Sequence, residues 1–367
     1  MARIVDVATA TLQLGLKGAL RWGKQSSLQQ LEHVLLRLRS DSGHVGIAEA
    51  PVRPSIYGET VASIQAIVHH YLAPALLGLE LEDTAAFAQA LSSVAHNPCA
   101  KGALDIAWHA LRASEAGQSL YQAEHGEQQR LQVSYILGIS SLEESLEEAQ
   151  RVYAQGVRLL KVKVGRDAAH DQRLLTALQQ EFSGSGLQLY ADANESFQVS
   201  DAAQRLEQLS KLGVLYVEEP LPVHKLRDRA ALRAQGILPI IADDSCFTLE
   251  DLERELEADS FDILNIKPAR SGYSHSAQML HKARAASKGV MLGSQASSGL
   301  GTLHCAIFAS KAGVSHPSEL SFPLKLERDI LNQAFDLKTG YLERDSLASL
   351  QLANPDSYVW QCSSFTQ

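Results

Sequence analysis

The sequence predicts an α/β protein: a (β/α) barrel preceded by a smaller α+β domain. Its 367 residues exceed one simple domain and suit a barrel of about 250 residues plus a partner. From residue 131 onward, apolar runs begin near 131, 159, 188, 214, 239, 262, 289 and 315. That spacing is what a repeated strand–helix unit with parallel strands requires. Upstream, three strand-like segments precede three helical ones, which is an α+β pattern.

Residues 2–13 alternate apolar and polar, as a first strand does. The Gly-rich stretch LGLKGALRWGKQSS (14–27) reads as a loop. EHVLLRLRS (32–40) and HVGIAEA (44–50) form a hairpin around DSG. APVRPSIYGET (50–60) carries two prolines, and Glu59 or Thr60 then opens a helix running to about Leu77. Helical stretches follow near 82–94 and 99–114, the second with Leu104, Ala107, Trp108 and Leu111 on one face. In the barrel region, helices 141–156 and 201–213 both end in glycine. An open doubly wound sheet is the structural alternative, but no GxGxxG follows any strand, so a dinucleotide fold has no support. After Leu320 the rhythm breaks into irregular chain with a strand pair around Lys338–Gly340.

A net charge of −9 argues against a nucleic-acid partner. No run of about 18 apolar residues marks a membrane span. MARIVDVATATLQ lacks a signal-peptide core, so a cytoplasmic protein is expected. Cys99, Cys246, Cys305 and Cys362 are far apart with no CxxC, the usage of reduced core thiols.

The informative stretch is Leu160 to Lys267. Apolar runs LLKVKVG (159–165), LQLYADAN (187–194), VLYVEEPL (214–221), LPIIADDS (238–245) and DILNIKPARSG (262–272) each finish in charged residues. Such charges are costly unless they face a ligand, a metal or a partner. Asp192 and Asn194 stand two apart and share a strand face; Glu218 and Asp243 end the next two strands. One carboxylate from each of three adjacent strands makes a hard oxygen cage for Mg²⁺. Glu219 and Asp244 alternate away from that face, as supporting partners or caps. Lys161 and Lys163 also share a face. Paired ammonium groups beside a divalent cation are expected to have depressed pKa values, which would make a lysine a base near neutrality. Lys267 comes from the opposite wall.

In that order, KVK, DAN, VEEP, ADDS and NIKPARSG resemble the enolase superfamily. The similarity covers nearly the whole chain. Within the superfamily it points to the muconate-lactonizing branch, with its dipeptide epimerases, N-acylamino acid racemases and o-succinylbenzoate synthases. The resemblance implies a modified TIM barrel, (β/α)7β. It implies an N-terminal capping domain (1–125), a catalytic barrel (126–322) and a tail (323–367) that packs back on the cap. It assigns Mg²⁺, with Mn²⁺ able to substitute, to Asp192, Glu218 and Asp243. Lys163 and Lys267 become bases on opposite faces of a small carboxylate substrate, a pairing with Mg²⁺ known for this superfamily. Lys161 helps hold substrate oxygen, and the protein is expected to be a homo-oligomer.

The expected reaction is removal of an α-proton, leading to racemisation or epimerisation of an amino-acid derivative or dipeptide. Muconate-type cycloisomerisation and syn dehydration are the enzymatic alternatives, and a barrel that binds without catalysis is the remote one. Substrate-facing positions follow from the same comparison. Arg21 and Trp22 lie in a loop that closes over the barrel mouth in the family, where Arg21 would bind a distal carboxylate. Tyr57 lies in a second capping segment, and Asn194 shares the face of Asp192. Gln295 and Ser297 stand where relatives often carry Met-x-Glu. Glu319 and Ser321 stand where dipeptide epimerases carry DxD, while SEL (318–320) resembles the TEL-like segment of cycloisomerases. ADDS replaces the usual ADES, and no His ends strand seven; His304 reads as helix packing. One carboxylate in place of two favours an acylated, cyclic or otherwise charge-reduced amine.

Overall fold

The structure is a computed structural model that describes residues 2–22, 26–124 and 126–364. Its N-terminal sheet contains β1 (Ile4–Trp22), β2 (Ser26–Ser40) and β3 (Val45–Pro51), all antiparallel. The expected loop over 14–27 is therefore strand from 14 to 22 and from 26 onward; residues 23–25 lie outside the described residues. The reason is burial on alternate positions: Leu14, Leu16 and Leu20 are all buried. The glycines suggested a loop, but Gly15 and Gly18 sit at a register shift between Gly15 and Leu20 that lets the ribbon bend. The long hairpin thus carries Leu20 and Trp22 out over the barrel.

Thr60 caps the helix Val61–Ile67 through a reciprocal bond pair with Ser63. Neighbouring Glu59 does something else. Buried, it accepts the Cys99 and Ala100 N–H groups at 2.9 and 3.0 Å, satisfying the start of the helix Pro98–Glu115. That helix lies against β3 so closely that a Cβ on Gly46 would stand 2.0 Å from the Ala107 carbonyl oxygen.

Among the described residues, the barrel has seven parallel strands. They are β5 (Tyr135–Leu137), β6 (Leu159–Lys163), β7 (Gln188–Asp192), β8 (Val214–Glu218), β9 (Ile240–Ala242), β10 (Ile263–Ile266) and β11 (Gly289–Leu292), neighbours in that order. A helix follows each strand, from Leu142–Ala154 to Gly299–Ala309. The strand expected near 131 divides in two. Arg130–Gln132 forms β4, which joins the tail strands β12 (Leu337–Lys338) and β13 (Tyr341–Glu343) in a small antiparallel sheet; β5 begins the barrel. The strand expected near 315 is only a bridging segment. Ser318 pairs in parallel with Val133, and the Glu319 N–H reaches the Leu292 carbonyl at 2.8 Å. Pro317, which has no N–H to donate, interrupts a longer ladder here. A last strand, β14 (Gln361–Ser364), returns to pair with β1 from Asp6 to Thr9.

The cap and barrel interlock at the helix Pro268–Ala285, which breaks at Gly272 (φ 65°). The carboxylate of Asp105 fills that break and accepts the Ser274 N–H at 2.9 Å, so a residue of the cap caps a barrel helix. Among the described residues, no helix is long and apolar enough to cross a membrane. Cys99, Cys246 and Cys305 are buried and free, as expected of core thiols, whereas Cys362 on β14 is exposed.

The approach at Gly46 gives the fold its first test. Gly46→Ala should reduce unfolding free energy by about 1–3 kcal/mol, read by urea denaturation. Gly18→Ala, whose Cβ would meet nothing within 4 Å, should change it by less than roughly 0.5 kcal/mol.

Candidate active site

Period-two alternation builds the barrel interior in layers. Leu159, Tyr190, Tyr216, Ile241, Ile263 and Met291 form an apolar floor. Two residues further along each strand stand Lys161, Asp192, Glu218, Asp243, Asn265 and Gly293. Two further on come Lys163, Asn194, Lys267 and Gln295. Register places Asp192 beside both Lys163 and Glu218. Gly293 is required where it stands. A Cβ there would lie 2.3 Å from Asn265 Oδ1 and 2.7 Å from Lys267 Cε.

Lys161, Lys163, Asp192, Asn194, Asp243, Lys267 and Gln295 line a cavity of about 220 Å³ between the cap and the strand ends, whereas Glu218, Asn265 and Gly293 stand behind its lining. Inside it, Lys161 Nζ is shared by three carboxylates, Glu319 at 2.6 Å, Glu218 at 2.7 Å and Asp192 at 2.9 Å. Lys163 Nζ donates to Asp192 at 2.5 Å and to Asn194 Oδ1 at 2.9 Å. Lys267 Nζ donates to Asp243 at 2.5 Å. Arg270 serves Asp244 at 3.0 Å and the Asp243 carbonyl at 2.9 Å, with its guanidinium stacked on Phe247.

The acids around Lys161 and Lys267 act on them in the sense opposite to the depression expected beside a divalent cation. Burial alone would lower Lys161, but Asp192, Glu218 and Glu319 outweigh it and hold the ammonium well above its ordinary value. Lys267 is likewise raised, burial being overcome by Asp243 and Asp244. Asp243 falls to about 2 against its burial, because Lys267 and Arg270 are beside it. Glu218 moves the other way, well above the usual carboxylate range: burial raises it, and Asp192, Asp243 and Glu319 add to that. Two ammonium groups, Lys161 and Lys163, cannot neutralise the three carboxylates of Asp192, Glu218 and Glu319.

The surplus bears on metal binding. Five carboxylates (Asp192, Glu218, Asp243, Asp244, Glu319) meet four cations (Lys161, Lys163, Lys267, Arg270) in this network. Among the described residues, no three His, Cys, Asp or Glu side chains form a closed metal cage. The donors are nevertheless all hard oxygens, the network is short of positive charge, and the buried Asn265 Oδ1 has no partner. A divalent cation that prefers oxygen suits that set.

Supporting groups hold the carboxylates in place. Glu219, with φ 38°, accepts the Asp243 N–H at 2.6 Å and the Ser245 N–H at 3.0 Å, so it orients Asp243. Burial pushes Glu219 up to about 7. Behind it, Arg229 and Glu255 form a buried ion pair at 2.7 Å. Sequence reasoning passed over Asn265, although its place two residues before Lys267 in the run NIK puts it on the same strand face.

The expected substrate-facing residues divide. Trp22, Tyr57, Asn194, Gln295 and Glu319 line the cavity. Tyr57 and the Gln295 amide are hydrogen-bonded, and burial raises the Tyr57 phenol to about 12. Glu319 is not free: besides Lys161, it accepts the Ser294 N–H at 2.6 Å and the Tyr190 hydroxyl at 3.2 Å. Three expectations need correction. Arg21 is not a cavity wall, because strand alternation turns Leu20 and Trp22 inward and leaves Arg21 exposed. Ser297 lies behind the cavity, where the chain enters the helix Gly299–Ala309. Ser321 is turned away, donating to the Ser134 carbonyl at 2.7 Å. His304 is buried in that same helix, and burial takes it down to about 4.

Comparison with known proteins agrees with this geometry. Residues 144–347 match the model "Enolase C-terminal domain-like", and residues 23–123 match the mandelate racemase / muconate lactonizing enzyme N-terminal domain. The chain is 30% identical over 342 residues to the L-Ala-D/L-Glu epimerase of Bacillus subtilis, covering 90% of this chain and 91% of that protein. It is 30% identical over 346 residues to the N-succinylamino acid racemase of Thermus thermophilus, covering 93% and 92%. A crystal structure of muconate lactonizing enzyme from Mucobacterium Smegmatis, complexed with muconolactone, superposes with a TM-score of 0.90 at 30% identity, covering 96% of this chain and 98% of that one. The chain belongs to the mandelate racemase / muconate lactonizing enzyme family and is an isomerase of the enolase superfamily.

Proposed function

We propose that this isomerase moves a proton at the α-carbon of a carboxylate substrate, from one face to the other, and so racemises or epimerises an amino-acid derivative. The observation that carries the reading is the placement of Lys163 and Lys267. Lys163 ends β6 and Lys267 directly follows β10, with β7, β8 and β9 between them, and both line the same cavity. A planar carbon held between them is within reach of an ammonium or amine on either side. One lysine takes the α-proton, and the other returns a proton to the opposite face. Lys161, held by its carboxylates, offers a fixed positive charge beside the substrate oxygens.

Asp192, Glu218 and Asp243 are the residues that would hold Mg²⁺. When bound, Mg²⁺ neutralises the substrate carboxylate and the charge left on it by loss of the proton. Lys163 and Lys267 are each tied to a carboxylate of that set, Asp192 and Asp243. With Asp192 and Asp243 holding the ion, Lys163 and Lys267 would be released from those contacts to face the substrate.

The reading favours an acylated amine over a free dipeptide N-terminus. Each acid that could receive an ammonium already has a partner. Glu319 is committed to Lys161 and the Ser294 N–H, Asp244 to Arg270, and Glu195 to the Val223 N–H at 2.7 Å. The Thermus relative, an N-succinylamino acid racemase, is in keeping with this. Cycloisomerisation is the second reading, favoured by the likeness to the muconate lactonizing enzyme. It needs proton transfer at one face only.

Deuterium exchange in D₂O separates the two. For a racemase, Lys163→Ala stops exchange from one enantiomer and Lys267→Ala from the other, each by about 10²–10⁴-fold; dependence on Lys163 alone would select cycloisomerisation. For the metal, EDTA should abolish turnover and Mg²⁺ or Mn²⁺ restore it. Asp192→Asn, Glu218→Gln and Asp243→Asn should each lower kcat on the order of 10²–10³-fold; full turnover by metal-free protein would remove the metal from the scheme. For the amine, kcat/KM for N-acyl amino acids should exceed that for free dipeptides of matched side chain. The reverse order would return the chain to dipeptide epimerisation.

A further inference from the structure

Among the described residues, four cations line the cavity: Arg53, Lys161, Lys163 and Lys267. Each lysine has a carboxylate partner. Arg53 has none among the described residues, although it is only 4% exposed. Its guanidinium donates to three carbonyl oxygens, those of Val52 at 2.5 Å, Gln295 at 2.8 Å and Ala296 at 3.1 Å. The nearby acid Glu49 is already occupied, holding His33 at 3.0 Å and the Ser298 N–H at 2.9 Å. Burial lowers the Arg53 pKa from its ordinary value, but a guanidinium keeps its proton in proteins. A full positive charge is therefore buried at the cavity wall with no carboxylate in hydrogen-bond contact, the Glu49 carboxylate attracting it only from a distance. Such a charge is expensive unless something supplies the missing anion.

The surroundings are those of a binding position. The carbonyls fix the guanidinium between the segment before Pro54 and the turn at Gln295–Ala296, where Ala296 has φ 54°. Beside it, Tyr57 and the Gln295 amide close the wall, and buried Gln295 Oε1 has no partner. This wall belongs to the cap and the β11 turn, whose Ser294 N–H also holds Glu319.

We propose that Arg53 anchors a second carboxylate of the substrate, remote from the carbon that exchanges its proton. The proposal rests on the proton-transfer reading above. It makes the substrate a dicarboxylate, with one carboxylate among the lysines and the other paired with a planar guanidinium built to receive it. The second carboxylate can come from a dicarboxylic N-acyl group or from an acidic side chain. Arg53 thereby takes the role that sequence reasoning gave to Arg21.

The test uses wild type, Arg53→Met and Arg53→Lys with two matched pairs: N-succinylalanine against N-acetylalanine, and Ala-Glu against Ala-Gln. Deuterium exchange gives kcat/KM for each. Wild type should prefer the dicarboxylate in one pair by roughly 10- to 100-fold, the span of a charge-assisted pair. The pair that shows the preference identifies the source of the second carboxylate. In Arg53→Met that ratio should fall close to one, and Arg53→Lys, a point charge, should retain part of it. No preference in wild type, or an unchanged ratio in Arg53→Met, overturns the proposal. So does an equal loss on both members of the pair, which is the behaviour of a purely structural clamp on Gln295–Ala296. If none of the compounds exchanges deuterium, it is the proton-transfer reading that fails. Calorimetry with the same four compounds then decides Arg53 separately: tighter binding of a dicarboxylate, lost in Arg53→Met, supports the anchor, and equal binding within both pairs refutes it.

Discussion

Everything in the barrel is arranged around one buried ammonium. Lys161 is 2% exposed and touches acids from β7, β8 and the closing segment at Glu319. Those three contacts span the interior, so a single side chain ties together strands far apart in sequence. Charges this deep are tolerated only as a set; leaving one without its partner costs about 3–5 kcal/mol. The floor of Leu159, Tyr190, Tyr216, Ile241, Ile263 and Met291 excludes water from below and makes each contact stronger. The same exclusion is what lets a lysine differ from its behaviour in solution. Stability and chemistry thus draw on one interaction here.

The cap contributes by reaching into this interior from above. Two of its segments do so: the end of β1 with Leu20 and Trp22, and the stretch from Arg53 to Tyr57. Both are anchored by ordinary packing. Glu59 fastens the second to the start of the helix Pro98–Glu115, and Asp105 on that helix fastens it to the barrel. The walls that meet the distal part of a substrate are therefore built on elements separate from those that do the chemistry. That division allows one reaction to be offered to different substrates within a family.

What could be read in the sequence was whatever periodicity controls. Lys161, Lys163, Asp192, Glu218, Asp243 and Lys267 lie on strands or one residue past them, where alternate positions share a face, so counting by two places them together. Beyond the strand ends that counting fails. Ser297 and Ser321 follow turns, and their directions depend on dihedral angles that composition does not reveal. The ribbon at 14–22 was misread because Gly15, Lys17 and Gly18 have loop chemistry, although the buried alternation of Leu14, Leu16 and Leu20 was there to be counted. Lysine ionisation depended on how many acids share each ammonium, which is a property of the assembled site. Arg53 was passed over because its setting between Pro51 and Pro54 resembles a turn. A lone arginine in an otherwise apolar stretch was the available signal, but its burial is a tertiary fact.

The pairing of β14 with β1 has a consequence for the order of assembly. β1 leaves the ribosome before any of the barrel, and its edge partner at residues 361–364 leaves after all of it. Closing that ladder means closing a loop of some 350 residues, a late and entropically demanding step. During synthesis, the edge of β1 from Asp6 to Thr9 waits without a neighbour on that side, a template on which another chain could pair. The ribbon that roofs the cavity is thus made before the barrel beneath it and is among the last parts to be fully hydrogen-bonded.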